Sequence, residues 1–536
     1  MTTGRAVADN TPILIGVGQV SDHLGSASYR ALSPTDIAAA AARAACDDAL
    51  GLAALAQHID TVYAVRTMAD SLSAPLRPAH LPFGAPDKPP RAIAQRIGVD
   101  PQRAIYSLAC GDEPQRLVGE ACERLHAGEM RLVLICGGEA ISTQRAAQAR
   151  QQTLDWSEQC SGDMEDRRGN IGVLRTRHMT EHQMLMPSSI YPLFEQARRK
   201  RLALSREAYA LVMGRLMAPF SAVAAANPHA ASRKTWTPEA IAAVGAGNRM
   251  IADPHAISVV ARDQVNLGAA VLLSTAGAAR ALGVPQAKWV YLHGYSAVDE
   301  RMVLERQDLS TSPAMAAAYE IALAAAQTRV EQLRYLDLYS CFPIAVFAAI
   351  EALGIAADDP RGLTLTGGLP YFGGPGNNYS MHAIVELVAR LRAEPGSRGL
   401  IGANGGLLST HAIGVYSMTP RPWQSSDCSA AQARIDALPA PAFTCEPDGW
   451  ASVESYTVTH TKQGPAQVIL VGRLDASGER FIAVSAPGAP SDASTAATRA
   501  AFTQGEPLAQ RVWVRGHQGR NVFALSPAAM REHAAR

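Results

Sequence analysis

Residues 103–142 read RAIYSLACGDEPQRLVGEACERLHAGEMRLVLICGGEAIS, and this stretch decides the fold. Residues 104–109 form a short apolar run that predicts a strand, and apolar positions between 117 and 125 recur at helical spacing. Residues 132–136 are a continuous apolar run with the length of a buried strand. A strand, a helix and a second strand predict an α/β crossover, which puts Cys110 at the carboxyl edge of a sheet, where ligands usually bind.

Cys110 is the first candidate for chemistry, because it lies just before the predicted helix, whose cap is expected at Asp112. The positive end of the helix dipole favours a thiolate, and a thiolate attacks carbonyl carbons. The alternative is an inert, buried thiol, which is the common state of a free cysteine. Position alone leaves both interpretations open.

The overall composition excludes several classes of partner. The 536 residues are enough for two or three domains, and 49 basic against 48 acidic residues leave a net charge of +1. So small a charge creates no field that recruits nucleic acid or an anionic membrane. The eight cysteines show neither zinc spacing nor a secreted disulfide pattern, so we expect a reducing compartment and no metal site. Without a signal-peptide core or a run approaching roughly 20 apolar residues, we expect a cytoplasmic protein with no membrane span.

The chain divides into two halves and an added segment. Residues 1–290 form the first half, in which the alternation of strands and helices breaks between 143 and 248 into an inserted loop domain over the sheet edge. The second half, 291–422, repeats the opening design, because a strand at 335–339, Cys341 and an apolar helix follow one another. The repetition predicts a duplicated α/β fold with one cleft built from both halves.

Residues 423–536 differ in composition from the rest of the chain. Runs at 451–461, 466–474, 480–485 and 511–525 have the pattern of strands separated by turns. We expect a small β-rich domain, a barrel of the oligonucleotide-binding type. Its few aromatic residues and its lack of basic excess do not indicate nucleic acid as its ligand.

Motifs spread over residues 10–420 resemble those of the thiolase superfamily. The quoted stretch, which ends in HAGEMRLVLICGGEAIS, resembles the thiolase segment that carries the nucleophilic cysteine and ends in a Gly-Gly-Met-Glu-Ser-like sequence. The resemblance implies a duplicated α-β-α-β-α layered fold, and the closest branch is the sterol-carrier-like and thiolase-like proteins with an appended C-terminal β domain. The other matching motifs are VNLGAAVLLSTAGAARALG (265–283), YSCF (339–342), GGLPYFGGPGNNYSMHAIVELVARLR (367–392) and ANGG (403–406).

The positions that carry thiolase chemistry have changed. Ungapped alignment places the family nucleophile on Gly111, so Cys110 is one residue early. Gly374 stands in place of the histidine of the Gly-His-Pro motif, Ala403 in place of the acid/base cysteine, and Tyr339 in place of the Asn or His that holds the oxyanion water. Glycine and alanine supply neither nucleophile nor base, so ordinary thiolysis or Claisen condensation is not expected.

Other side chains are candidate substitutes. Cys110 would be the nucleophile and His411 its base, with His382 as a second candidate base. Tyr339 and Cys341 could serve as acid or oxyanion donor. A satisfied core position for His382 and inert packing for Cys341 remain the alternatives.

The resemblance implies a coenzyme A thioester as ligand and no covalently bound cofactor. Gly373, Gly374, Gly405 and Gly406 are candidate contacts, since glycines permit open backbone angles or the close approach of a ligand. Arg198 and Arg199, within the basic run 198–201, could meet phosphates or form a solvated helix face.

Two functions from different classes are open at this point. The first is an acyltransferase, or an enzyme of carbon–carbon bond chemistry, with rearranged catalytic residues; a lyase or retro-aldol variant could use Tyr339 or His382 instead. The second is a catalytically silent acyl-CoA or lipid carrier, or a scaffold. Thiolases usually form dimers or tetramers through the sheet edge of the first half, and the added domain leaves both homodimer and monomer open.

Overall fold

The computed structural model describes residues 7–72, 77–167, 175–486, 493–517 and 519–534. The strands are β1 (Pro12–Ser21), β2 (Thr61–Ala64), β3 (Arg103–Tyr106), β4 (Leu132–Ala140), β5 (Glu165–Asp166), β6 (Met250–Ala252), β7 (His255–Ala256), β8 (Asn266–Thr275), β9 (Tyr291–Asp299), β10 (Tyr335–Leu338), β11 (Arg398–Gly405), β12 (Thr410–Ser417), β13 (Asp448–Thr461), β14 (Gly464–Leu474), β15 (Arg480–Ser485), β16 (Arg511–His517) and β17 (Arg520–Ala524). The helices are α1 (Pro34–Ala49), α2 (Leu52–Leu55), α3 (Arg77–His80), α4 (Pro89–Arg96), α5 (Glu113–His126), α6 (Ile141–Ala149), α7 (Arg177–Glu181), α8 (Pro187–Arg201), α9 (Arg206–Ala226), α10 (Pro238–Ala242), α11 (Ala276–Leu282), α12 (Pro313–Ala325), α13 (Pro343–Leu353), α14 (Tyr379–Ala393), α15 (Ser429–Asp436), α16 (Ala493–Thr503) and α17 (Pro527–Ala534).

The first sheet has the strand order β1-β8-β4-β2-β3-β5. β1, β8 and β4 are antiparallel neighbours, whereas β4, β2, β3 and β5 run parallel. β4 is buried along its whole length, which confirms the buried strand expected from its continuous apolar run. Alternate residues of β4 face α1 on one side and α5 with α14 on the other, because successive side chains of a strand point to opposite faces.

The second sheet has the strand order β10-β11-β12-β9 and completes a layered fold. α12 packs on one side of this sheet, and α5 and α14 lie between the two sheets. The layers are therefore helix, sheet, helix, sheet, helix, which confirms the predicted duplicated α/β architecture. The expected boundaries at 290 and 422 stay predictions.

The duplication does not make the two cysteine turns equivalent. The order β9-β12-β11-β10 repeats the order β1-β8-β4-β2, so β10 is the counterpart of β2. Cys341 follows β10, whereas Cys110 follows β3. The helix that matches α5 in the central layer is α14, and α13 lies beside α12 as α4 lies beside α1. The predicted equivalence of the two turns is wrong, because several strands in such a fold lead into an apolar helix.

The segment 143–248 is mostly helical and carries α6 to α10. It adds one short strand to a sheet, since β5 pairs in parallel with β3 at the edge. α8 and α9 pack against α13, and α8 also contacts β13. The insertion thus lies between the second half and the C-terminal region.

The C-terminal region is a closed five-stranded barrel. β14, β15, β17 and β16 follow in order, and β13 pairs with both β16 and β14 to close the ring. This confirms the predicted small β-barrel. The single strand expected at 511–525 is wrong, because the chain turns back there as the hairpin β16–β17, with Gly519 at a φ of +76° in the connection.

The barrel shares a core with the layered fold. Ile469, Val471 and Ile482 of the barrel belong to the same buried cluster as residues of α8, α9 and α13. Arg480, with 0% of its surface exposed, donates hydrogen bonds to the backbone oxygens of Leu304 (2.9 Å) and Gln307 (3.1 Å). Such buried bonds fix the orientation of the barrel.

α9 differs from the expectation that no segment has the length and composition of a membrane span. Its 21 residues are long and apolar enough by those two criteria alone. In the structure, Met213, Leu216, Met217 and Phe220 of this helix are buried in the shared core. Burial in a protein core accounts for such a helix without a membrane.

Candidate functional site

Four segments from both halves meet beside Cys110. They are the turn between β3 and α5, the turn between β10 and α13, the connection from β11 to β12, and the start of α14. The hydroxyl of Ser380, at the start of α14, donates to the backbone oxygen of Gly111 (3.1 Å). The predicted junction of the two halves therefore contains the Cys110 turn.

The Cys110 thiol belongs to a short polar chain. Thr410 donates its hydroxyl proton to Asp112 Oδ1 (2.7 Å), so its oxygen accepts a hydrogen bond from Cys110 Sγ (3.1 Å). Asp112 is paired in turn with the guanidinium group of Arg116. The thiol proton thus points along a chain that ends on a buried carboxylate.

Electrostatics in this chain keep the proton on sulfur. Burial and the negative charge of Asp112 raise the pKa of Cys110 well above its ordinary value. Burial opposes ionisation of Asp112, but Arg116 and the hydrogen bond from Thr410 hold the pKa of Asp112 below its usual range. Asp112 is the N-cap residue of α5, as expected, but its side chain makes no capping hydrogen bond. The structure thus opposes the expected thiolate, because burial and the adjacent Asp112 charge outweigh the positive end of the helix.

The position of the family nucleophile is filled by other groups. A Cβ atom added to Gly111 would lie 2.9 Å from Tyr339 Cζ and 2.6 Å from the backbone oxygen of Asn404, with the Tyr339 hydroxyl closer still. Contacts this short force a shift of the backbone or the ring. Tyr339 therefore excludes a side chain at the site where a thiolase would carry its cysteine.

His411 does not face Cys110. Thr410 and His411 are consecutive in β12, so their side chains point to opposite faces of the sheet. His411 Nε2 lies 3.1 Å from the hydroxyl of Ser312, and burial lowers the pKa of His411 to about 3. The predicted pairing of Cys110 with His411 as nucleophile and base is wrong, because strand alternation separates them.

His382 and Cys341 are also buried. His382 Nδ1 lies 2.9 Å from Gln19 Oε1, its ring packs edge-on against Phe372, and burial lowers its pKa to about 3. Cys341 Sγ accepts a weak hydrogen bond from Asn404 Nδ2 (3.7 Å), and burial raises its pKa to about 12. These surroundings match the core alternatives for both residues.

The candidate glycines contact protein atoms. A Cβ at Gly373, whose φ is +111°, would strike the Val265 side chain, and one at Gly405 would strike Cys110 and Thr410. Gly374 has more room, with Leu369 Cδ2 at 3.3 Å. Gly406 has a φ of +60°, and its backbone oxygen accepts from the Tyr191 hydroxyl (3.4 Å). Tight packing and turn geometry account for Gly373, Gly405 and Gly406, but not for Gly374.

Arg198 and Arg199 are engaged inside the protein. Arg198 pairs with Glu351 (2.9 Å) and lies over the ring of Phe347 (3.8 Å). Arg199 is 1% exposed and forms two bonds to Glu506 (2.6 and 2.7 Å). Neither alternative holds for Arg198 and Arg199, since these guanidinium groups join α8 to α13 and to the barrel, whereas Lys200 and Arg201 are exposed.

Sequence reasoning missed a buried ionic cluster in this region. Glu195 of α8 accepts hydrogen bonds from His255 Nε2 (3.0 Å), from the Tyr209 hydroxyl (2.5 Å) and from the backbone N–H of Ile344 (2.9 Å). The sequence feature that could have indicated this cluster is Glu195 itself, a glutamate within the apolar helical run 190–197. Its partners are remote in sequence. Among the described residues, no group of three or more His, Cys, Asp or Glu side chains is placed to hold a metal ion.

Comparison with known proteins agrees with this architecture. A family model of the thiolase-like protein type 1 additional C-terminal domain matches residues 431–518. No curated protein matches the chain. Two solved thiolase-fold structures, under 20% identical, share the fold. They are the acetyl-CoA acetyltransferase from Syntrophomonas wolfei (16% identity, TM-score 0.52, covering 77% of this chain and 100% of that chain) and human mitochondrial 3-ketoacyl-CoA thiolase in complex with CoA (15%, 0.51, 77% and 100%).

A more similar structure covers the barrel as well. It is the monomeric SCP2-thiolase like protein type 1 from Mycobacterium smegmatis, with 36% identity and a TM-score of 0.82 over 97% of this chain and 100% of that chain. Similarity of this extent includes both halves, the insertion and the added domain. The chain therefore belongs to the SCP2-thiolase-like proteins of type 1.

Proposed function

We propose that this protein binds a coenzyme A thioester where its two halves meet and does not transfer the acyl group. The binding part rests on the family and on the fold, which a thiolase crystallised with CoA shares. The non-catalytic part rests on one observation, the filling of the Gly111 position by Tyr339 and the Asn404 backbone.

Acyl transfer needs a thiolate, a base to generate it and donors for the oxyanion. The sulfur at Cys110 retains its proton, since the group at the end of its hydrogen-bond chain, Asp112, is the stronger acid. His411 faces Ser312 instead. Each missing group typically costs several kcal/mol of transition-state stabilisation, and groups that act as a unit are lost together.

Arg262 is a candidate for holding the phosphates of the ligand. Its side chain is exposed, and its backbone is bonded to Leu369 (3.1 Å) and Gly374 (2.8 Å) in the loop that resembles the thiolase Gly-His-Pro region. Arginine suits phosphate because its planar donors match phosphate oxygens. Arg262→Glu should weaken CoA binding about tenfold or more, whereas Arg177→Glu, at an exposed site on α7, should leave it unchanged.

The test combines calorimetric titration of acetyl-CoA and a longer acyl-CoA with a thiolysis assay and intact-protein mass spectrometry. We expect binding, no release of free CoA above the blank, and no acyl adduct. An adduct that disappears in Cys110→Ser but not in Cys445→Ser, at the exposed Cys445, would establish the catalytic alternative. Absence of binding to every thioester would remove both functions and leave a scaffold.

A further inference from the structure

A cavity lies away from the Cys110 turn. It is between the first sheet and helices α1 and α4, whereas α5 packs on the other face of that sheet. Its open volume, including the part continuous with solvent, is about 690 Å³.

The roof of this cavity is held in place. Two loops close over it, and the backbone N–H of Trp156 donates to the oxygen of Phe83 (2.7 Å) while their rings pack edge to face (5.3 Å). Arg96 ties the second loop to α1, because its guanidinium bonds to both Asp36 (2.6 Å) and Glu158 (2.9 Å). The cavity is therefore preformed.

Glu139 is the charged group in its wall. The side chain lies at the end of β4 and is 3% exposed. Within the described part of the chain, Glu139 Oε1 accepts a hydrogen bond from the backbone N–H of Met68 (2.5 Å). Among the described residues that line the cavity, none is Lys, Arg or His, and most are apolar. A carboxyl buried without a countercharge is costly to ionise.

The charged groups around Glu139 do not supply that countercharge. Burial, with the nearby charge of Asp263, raises the pKa of Glu139 to about 7. Asp263 is itself paired with Arg145 (2.6 Å) on the surface, and on the α1 and α4 side Asp36 pairs with Arg96. Tyr106, from β3, stays neutral because burial raises its pKa. The cavity is therefore neutral or negative, and it disfavours carboxylate and phosphate ligands.

We propose that this cavity binds a compact apolar amine whose ammonium group pairs with the carboxylate of Glu139. The apolar wall would receive the hydrocarbon part, and the cation would supply the charge that the carboxyl lacks. Binding then requires the ionised carboxylate, so affinity should rise with pH through neutrality. This site does not depend on coenzyme A or on Cys110.

The test is calorimetric titration of the full-length protein with octylamine, octanol and octanoate at pH 6 and pH 8. Octylamine should bind about tenfold more tightly at pH 8, because the pKa of Glu139 lies between these values. Glu139→Gln should weaken octylamine binding at pH 8 by about tenfold or more and remove the pH dependence. Glu165→Gln, on the exposed strand β5, is the matched control and should change neither.

Ala69→Phe provides a second variant, in which the partly exposed Ala69 is enlarged to fill the cavity without altering Glu139. It should abolish binding at both pH values. Tighter binding of octanol or octanoate than of octylamine, octylamine binding that is insensitive to Glu139→Gln, or no binding of octylamine would each overturn the proposal.

Discussion

The two cysteine turns look alike in sequence and differ in structure. Each follows a short strand and precedes a helix, the amphipathic α5 for Cys110 and the apolar α13 for Cys341. Cys110 is partly exposed as a residue and its thiol is bonded to Thr410, whereas Cys341 is buried and its thiol lies beside Asn404. Both turns, however, have a carboxylate near the start of the helix.

The source of that carboxylate separates the two turns. At α5 it is the local Asp112, whose charge raises the pKa of the neighbouring thiol. At α13 it is Glu195, which comes from the insertion and accepts from the backbone N–H of Ile344 in the first turn of the helix. The adjacent charge of Asp112 thus helps to keep the proton on Cys110, whereas burial is the main cause of the raised pKa of Cys341.

Removing the remote carboxylate should have the largest effect. Glu195→Ala leaves His255, Tyr209 and the Ile344 N–H without their buried partner, so we expect a loss of about 3–5 kcal/mol in the free energy of unfolding. Urea denaturation followed by circular dichroism measures this. Glu181→Ala, at the exposed pair with Arg177, is the control and should cost about 1 kcal/mol or less. A loss below that of the control would contradict the structural role of Glu195.

The pH dependence of stability tests the burial of His411, which lies on the face of β12 nearer to Cys341. His411 there is a direct cross-strand neighbour of Asn404, and burial holds its pKa near 3 in the folded protein, below the ordinary 6.5. His411 binds a proton more readily in the unfolded chain than in the folded protein. The stability that neutral His411 contributes is therefore complete above pH 6.5 and is lost as the pH falls. Between pH 7 and 5 His411 should account for a loss of about 2 kcal/mol. In His411→Gln the unfolding free energy should fall less over this range, and His58→Gln, at an exposed site, should match the wild type.

Removing the local carboxylate should sharpen the difference between the two thiols. Asp112→Asn deletes the charge beside Cys110 and should lower the pKa of this thiol by about one unit. We therefore expect about ten times more thiolate, and an alkylation rate of Cys110 by iodoacetamide at pH 8 that rises about tenfold. Peptide mass spectrometry reports Cys110 and Cys341 separately, and Cys341 should not change. Burial and Asp112 raise the pKa of Glu113 to about 8, so Glu113 carries about half a charge at pH 8, and Glu113→Gln should raise the rate less than Asp112→Asn does. An equal rise in both variants would show that Asp112 has no special role.

The smallest expected effect is the coupling energy between Gly111 and Tyr339, which are in contact where the two turns meet. Gly111→Ala should destabilise the protein by about 1–3 kcal/mol, since the added methyl group meets Tyr339 and Asn404. In the Tyr339→Phe background the cost should be smaller by about 1 kcal/mol, because the hydroxyl is the nearest obstruction. A double-mutant cycle from urea denaturation measures this coupling. Strict additivity would mean that the ring does not fill the nucleophile position.

Much of the fold was predictable from local patterns, and the site was not. Residues 132–136 and the strands of the barrel carry continuous or alternating apolar runs, which specify strands directly. The opposite orientations of Thr410 and His411 were available from strand alternation once residues 409–417 were assigned to a strand. The partners of Glu195 were not available, since no local rule joins position 195 to position 255. Long-range pairing of this kind depends on the packing of whole elements.

The short strand β5 has a consequence for self-association. Its parallel pairing with β3 occupies backbone groups that would otherwise be open at the edge of the first sheet, and Arg66 anchors it through Asp166. An open edge is a template for strand addition, and charged residues such as Glu165 and Asp166 discourage further pairing. A second copy of the chain would have to displace β5 before it could continue the sheet across β3.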